Sequence, residues 1–210
     1  MKIIKPSYEI IDTLDATEIL KKIELCGRVC YKSEDKITEN SAREFVKQII
    51  KAGHESVLEH FSFSVRFITD RGVSHEIVRH RLASYSQEST RYCNYSNDKF
   101  DNEITVVEPC QLAAQKPNWR KACKISEEQY FELLKTESAQ TARSVLPTSL
   151  KTEIIMTANL RTWRHFLKLR TSKNAHPDLR VLTTPLLKEL KQLIPVVFDD
   201  INIEEEINND

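Results

Sequence analysis

Residues 61–68, FSFSVRFI, alternate without a break, and this period leaves few choices of local structure. Phe61, Phe63, Val65 and Phe67 fall on one side; Ser62, Ser64 and Arg66 fall on the other. Successive side chains of a strand point to opposite faces, so the run reads as a strand with one buried face. Asp70-Arg71-Gly72 breaks it, and residues 73–78 read as a short helix leading into Arg79-His80-Arg81. Further strands are expected at 7–13, 104–107 and 150–158. Helical spacing covers 16–31, with Asp15 as N-cap and Ile19, Ile23, Cys26 and Cys30 on the inner face. It also covers 41–52, where Phe45, Ile49 and Ile50 mark the inner face and Gly53 is the C-cap. Three more helices are expected at 118–137, from Asn159 to Arg170, and at 177–193, where Pro185 should kink the chain. Strands scattered among helices give an α+β class: a mixed, largely antiparallel sheet flanked by helices. A single domain is expected over 1–198, followed by a solvated, mobile acidic tail at 199–210.

Composition narrows the function classes. At 210 residues the chain suits one domain with a sizeable core. Lys+Arg and Asp+Glu are both 31, which speaks against a general nucleic-acid surface. No apolar run approaches the roughly 20 residues that span a bilayer, and the first ten residues lack the apolar core of a signal peptide. The five cysteines form no CxxC pair, so a reduced, cytoplasmic chain is the simplest reading. With only 3 glycines there is no GxGxxG and no glycine-rich phosphate loop. His54, Glu55, Glu59 and His60 lack the one-turn histidine spacing of HExxH, and no metal site is expected. Glu59 and His60 read either as a hydrogen-bonded pair holding a helix end or as ligand contacts. Cys110 has no nearby cation to lower its pKa and reads as incidental.

The densest chemistry lies in residues 79–92, RHRLASYSQESTRY. Arg79, His80, Arg81 and Arg91 surround the hydroxyls of Ser84, Tyr85, Ser86, Ser89 and Thr90 and the polar ends of Gln87 and Glu88. Guanidinium forks offer paired donors in a plane and keep their charge, which suits phosphates and carboxylates. The chemistry implied is recognition of phosphorylated small molecules.

RHR, seven intervening residues, then Ser89 followed by Arg91-Tyr92, resembles the signature of the flavin-dependent thymidylate synthases. The resemblance extends from Gly53 to about Arg170. It includes a GHxSxxEH block (His54, Ser56, Glu59, His60), an ARxxLP block around Arg143, and an NxRxxxHxxxxR block (Asn159, Arg161, His165, Arg170). It implies reductive methylation of dUMP to dTMP, with the carbon from methylenetetrahydrofolate and FAD reduced by NADPH. It also implies a homotetramer with shared sites. The implied substrate-binding residues are Glu76, Arg79, Gln87, Ser89, Arg91, Arg143 and Arg170. The implied flavin contacts are His54, Ser56, Arg79, His80, Arg81, Gln87, Asn159, Arg161 and His165. Arg91 and Arg143 are expected to grip the dUMP phosphate and Arg170 to face the uracil ring. Arg170 and Ser89 are the catalytic candidates, Ser89 through an orienting hydrogen bond. Glu76 stands where many members have Gln, and His165 replaces the Asn of some. Two rival readings are an NADPH-dependent flavoprotein reductase without a dUMP step and a non-catalytic nucleotide- or RNA-binding protein.

Overall fold

The computed structural model describes residues 1–112 and 115–203. In chain order the elements are β1 (Lys2–Ile4), β2 (Ser7–Ile10), α1 (Ala16–Val29), α2 (Ser41–Lys51), β3 (Ser62–Asp70), α3 (Arg71–Ile77), β4 (Ala83–Gln87), β5 (Thr105–Val107), α4 (Lys116–Leu133), α5 (Ala139–Ala142), β6 (Lys151–Asn159), α6 (Leu160–Arg170) and α7 (Pro177–Leu193). Short 3-10 turns occupy Glu34–Lys36, Glu55–His60, Asp98–Phe100 and Arg143–Val145. One sheet is antiparallel with strand order β2-β3-β6-β4; the other pairs β1 with β5 in parallel. The α+β class and the mainly antiparallel sheet are as expected. Strand β1 and its pairing were not anticipated, because three residues carry too little pattern to read.

The chain divides into two compact units. One comprises Met1–Tyr8, Arg66–Arg79 and Tyr85–Ile155; the other comprises Glu9–Val65, His80–Ser84 and the chain from Met156 onward. The first is built on Tyr95, Ile104, Val106, Cys123, Tyr130, Ala142 and Leu150. Buried Glu127 accepts the Ile104 amide at 3.1 Å and the Lys124 ammonium at 2.6 Å. Burial alone would raise the Glu127 pKa, but its cationic and amide partners outweigh that and lower it.

In the second unit α1 packs on α2 and α6 on α7, and Trp163 of α6 stacks on Phe63 of β3 at 4.9 Å between ring centroids. The Trp163 indole donates to the Phe63 carbonyl at 3.1 Å, so this buried aromatic is also satisfied as a donor. Asp15 caps α1 as expected, accepting the Thr17 and Glu18 amides. The inner face of α1 is Ile19, Leu20, Ile23, Glu24 and Gly27, not the stripe through Cys26 and Cys30. Gly27 explains the shift. A Cβ there would come within 2.6 Å of the Phe45 ring tip, so a larger residue would have to displace that ring. Cys30 lies past the helix end and is exposed. Glu24 accepts Arg28 and the Ser41 hydroxyl, tying α1 to the start of α2. Gly53 follows α2 at φ +74°, a conformation that favours glycine. Helix α7 continues unbroken through Pro185.

The boundary expected at Phe198 does not hold. Ile201 is buried, Asp199 accepts the Val196 amide at 2.8 Å, and Asp200 is ion-paired. Residues 204–210 of the expected tail lie outside the described residues.

Candidate active site

In the first unit, Asp70 ends β3 and caps α3 by accepting the Val73 amide at 2.9 Å. That rigid strand–cap–helix step leads to Glu76 and the exposed Arg79, whose amide donates to the Glu76 carbonyl. On β4, the Gln87 carboxamide donates to the hydroxyls of Ser74 (2.9 Å) and Thr152 (3.2 Å). Its nitrogen is thereby committed inside the protein. Glu88 turns inward as well. Its two carboxylate oxygens accept the Tyr95 hydroxyl and the Lys151 ammonium, each at 2.9 Å, and Lys151 also reaches Glu153 at 2.6 Å. Burial disfavours the Lys151 charge, but the two carboxylates outweigh it and raise its pKa. Burial, and then Glu88, push the Tyr95 phenol up as well. This network fixes the backbone from which Ser89, Thr90 and Arg91 project.

Ser89 Oγ accepts the Arg91 amide at 3.3 Å, a short turn that orients the Arg91 backbone. Among the described residues no imidazole or carboxylate hydrogen-bonds this hydroxyl, so it has no base to activate it. The segment 89–91 is stitched to α5 and its following turn by two arginines. Arg91 Nε donates to Gln140 Oε1 at 3.0 Å, and Arg143 Nη1 donates to Thr90 Oγ1 at 3.2 Å. Both partners are neutral. Among the described residues, neither guanidinium meets a carboxylate, and both side chains are exposed. Two uncompensated cations held in place by neutral oxygens form an anion-binding arrangement.

The second unit treats its cations differently. Arg170 Nε donates to His80 Nε2 at 3.0 Å, which requires that nitrogen to be unprotonated. His80 packs edge-on against Phe166, with ring centroids 4.8 Å apart, and edge-on to His165 at 5.9 Å. Burial first, then the nearby Arg170 and His165, lower the His80 pKa to about 4. The structure therefore brings His80, His165 and Arg170 together, with His80 serving Arg170 as an acceptor. Asn159 Oδ1 accepts the Thr162 amide at 2.9 Å and caps α6. Arg161 reaches Glu59 at 2.6 Å, so Glu59 pairs with an arginine and not with His60. Arg81, His54 and Ser56 are exposed.

These groups fit a dinucleotide with a diphosphate. Arg81 is an exposed guanidinium with no carboxylate partner among the described residues. His54 and Ser56 add exposed donors, and the Asn159 cap uses only the amide oxygen, leaving NH groups as donors. The residue that sequence reasoning missed is Arg164. It lies among the arginines of α6 but is buried, and only its partners, distant in sequence, distinguish it.

The thymidylate synthase complementing protein family matches residues 11–196. The flavin-dependent thymidylate synthase of Mycobacterium avium (strain 104) is 34% identical over 198 residues, covering 86% of this chain and 79% of that protein. That of Mycobacterium sp. (strain JLS) is 36% identical over 208 residues with the same coverage. Among solved structures, the UMP/dUMP methylase PolB from Streptomyces cacaoi, bound with 5-Br dUMP, superposes with a TM-score of 0.76. It covers 95% of this chain and 96% of its own at 21% identity, a likeness of fold. With nearly its whole length matched and these relatives above 30% identity, the chain belongs to the thymidylate synthase complementing protein family.

Proposed function

We propose that this protein is a flavin-dependent thymidylate synthase. It converts dUMP, methylenetetrahydrofolate and NADPH with a proton into dTMP, tetrahydrofolate and NADP⁺. The observation that carries the reading is the pair Arg91 and Arg143, each held by a neutral partner and each without a carboxylate. Such cations keep their charge for a phosphate ester. Arg79 adds an exposed guanidinium one residue ahead of His80.

FAD, when bound and reduced by NADPH, supplies the hydride that completes the methyl group. The chain's own residues bind, orient and stabilise charge. Arg170 faces the pyrimidine, and its fixed cation stabilises negative charge developing on the ring, making C5 the better nucleophile. His80 holds the guanidinium by its Nε. Ser89 sets the Arg91 backbone and takes no proton. Gln87 and Glu76 act on the nucleotide side. His54, Ser56, Arg81, Asn159, Arg161 and His165 hold the flavin. We extend the reading to a homotetramer with shared sites, which light scattering tests directly, and to a cytoplasmic setting; no helix among the described residues is long and apolar enough to cross a membrane.

The purified protein should retain flavin bands after FAD addition and desalting. NADPH should bleach them, dUMP should alter the bleaching, and methylenetetrahydrofolate should then yield dTMP. Flavin bands indifferent to dUMP would instead identify a reductase, and a folded protein that retains no flavin would end the assignment.

A further inference from the structure

Arg164 lies on α6 among Arg161, His165 and Arg170, the implied ligand contacts. Its geometry sets it apart from them. The side chain is 8% exposed. Nε and Nη2 donate to Glu55 Oε1 at 3.2 and 2.9 Å. Nη1 and Nη2 donate to the two Asp200 carboxylate oxygens at 2.6 and 2.8 Å, and Nη1 also donates to the Val197 carbonyl. A guanidinium has five N–H groups, and these five bonds use them all. Arg164 has no donor left for a ligand.

What the bonds join is informative. Glu55 begins the 3-10 turn Glu55–His60 and stands between the exposed His54, which precedes the turn, and the exposed Ser56. Asp200 belongs to the segment after α7, and that segment is firmly placed. Ile194, Val197 and Phe198 are fully buried and Ile201 nearly so. Val196 adopts φ +80°, an unfavourable region for a β-branched residue, and its amide is held by Asp199 at 2.8 Å. A strained turn persists only where its surroundings determine it, and here the buried apolar anchors on both sides do so. The Asp200 side chain itself is half exposed, and Arg164 holds its carboxyl below the usual carboxylate range.

We propose that the segment after α7 is a strap that positions the His54–Ser56 turn for the flavin, acting through Asp200, Arg164 and Glu55. Arg164, Asp200 and Glu55 are positioning residues; none touches the ligand. The flavin part rests on the function proposed above, whereas the strap itself does not. Neutralising Asp200 leaves Arg164 paired with Glu55, so no buried charge is stranded and the fold should survive.

The test uses the full chain carrying Asp200→Asn, with Asp200→Glu as the conservative variant. Hydrogen exchange without flavin is expected to rise about tenfold across amides 54–60 in Asp200→Asn, while the amides of α4 keep their rates. The Kd for FAD should rise about five- to tenfold with dUMP binding unchanged. Asp200→Glu should restore both. Unchanged exchange across 54–60 would overturn the strap whether or not FAD binds. Raised exchange with an unaltered FAD Kd would overturn the flavin role. A wild-type protein that retains no FAD would defeat the proposed function, and the exchange result would still decide the strap.

Discussion

The arginines at the 89–91 segment and those along α6 are held in opposite ways. At the segment, Arg91 and Arg143 lean on Gln140 and Thr90, neutral groups that fix direction without cancelling charge. Along α6, Arg161 meets Glu59 and Arg164 meets both Glu55 and Asp200, so charge is spent on structure. Arg170 lies between these cases, with a neutral imidazole on its Nε. An arginine's role is therefore better read from the charge of its partner than from its exposure. A cation oriented by a neutral acceptor keeps its field for a substrate; one paired with carboxylates contributes rigidity.

That contrast can be broken by substitution. The largest effect is expected at Arg170. Arg170→Leu should lower kcat about a thousandfold while FAD is retained after desalting; loss of flavin from this variant would assign Arg170 to the cofactor instead. Next is Arg143→Gln, which removes an uncompensated charge but keeps a donor for Thr90. The KM for dUMP should rise about thirtyfold, roughly 2 kcal/mol, and its dependence on salt should flatten. An equal rise in the FAD Kd would show that Arg143 does not serve dUMP alone.

His80 gives a pH-dependent effect of similar size. Its pKa is about 4 in the folded protein against an ordinary value of 6.5. Because the folded value is depressed, the stabilisation is fully present above pH 6.5. It is lost as pH falls from 6.5 to 4, where the unfolded chain takes up the proton first. At pH 4.5 the cost is about 2.5 kcal/mol. Urea unfolding of His80→Gln should show a drop smaller by that amount between pH 7.5 and 4.5, and an identical drop would remove His80 as its source. The smallest effect is expected at Glu59→Gln. The Glu59–Arg161 pair is about half exposed on both sides, so stability should scarcely change. Freeing the Arg161 charge should tighten FAD about twofold; a weaker complex would mean that the ion pair itself shapes the site.

Most of the scaffold around these residues was legible because it is locally encoded. The alternation at 61–68 gave β3, Asp15 gave the start of α1, and Gly53 the end of α2. The long periodic helices α6 and α7 ran as their apolar stripes required. The motif spacing likewise picked out residues that the fold does bring together, as with His80, His165 and Arg170. What stayed hidden depends on partners far along the chain. Nothing near Cys30 indicates that Gly27 must admit Phe45 and turn the helix. Nothing in the run of arginines distinguishes Arg164 from its neighbours, since Glu55 and Asp200 are distant in sequence. Nor does a cluster of acidic residues after Phe198 reveal that Asp200 has a buried cation to meet.

The pairing of β1 with β5 has a kinetic consequence. Lys2 finds its partner at Thr105, so this ladder closes a loop of about a hundred residues for three residue pairs. By ideal-chain entropy such closure costs about 4 kcal/mol before any contact forms. The helices and the β3–β6 core repay their ordering over shorter spans or larger areas. The small parallel sheet is therefore expected to condense late, once α4 and the Tyr95–Tyr130 cluster have drawn its two strands together.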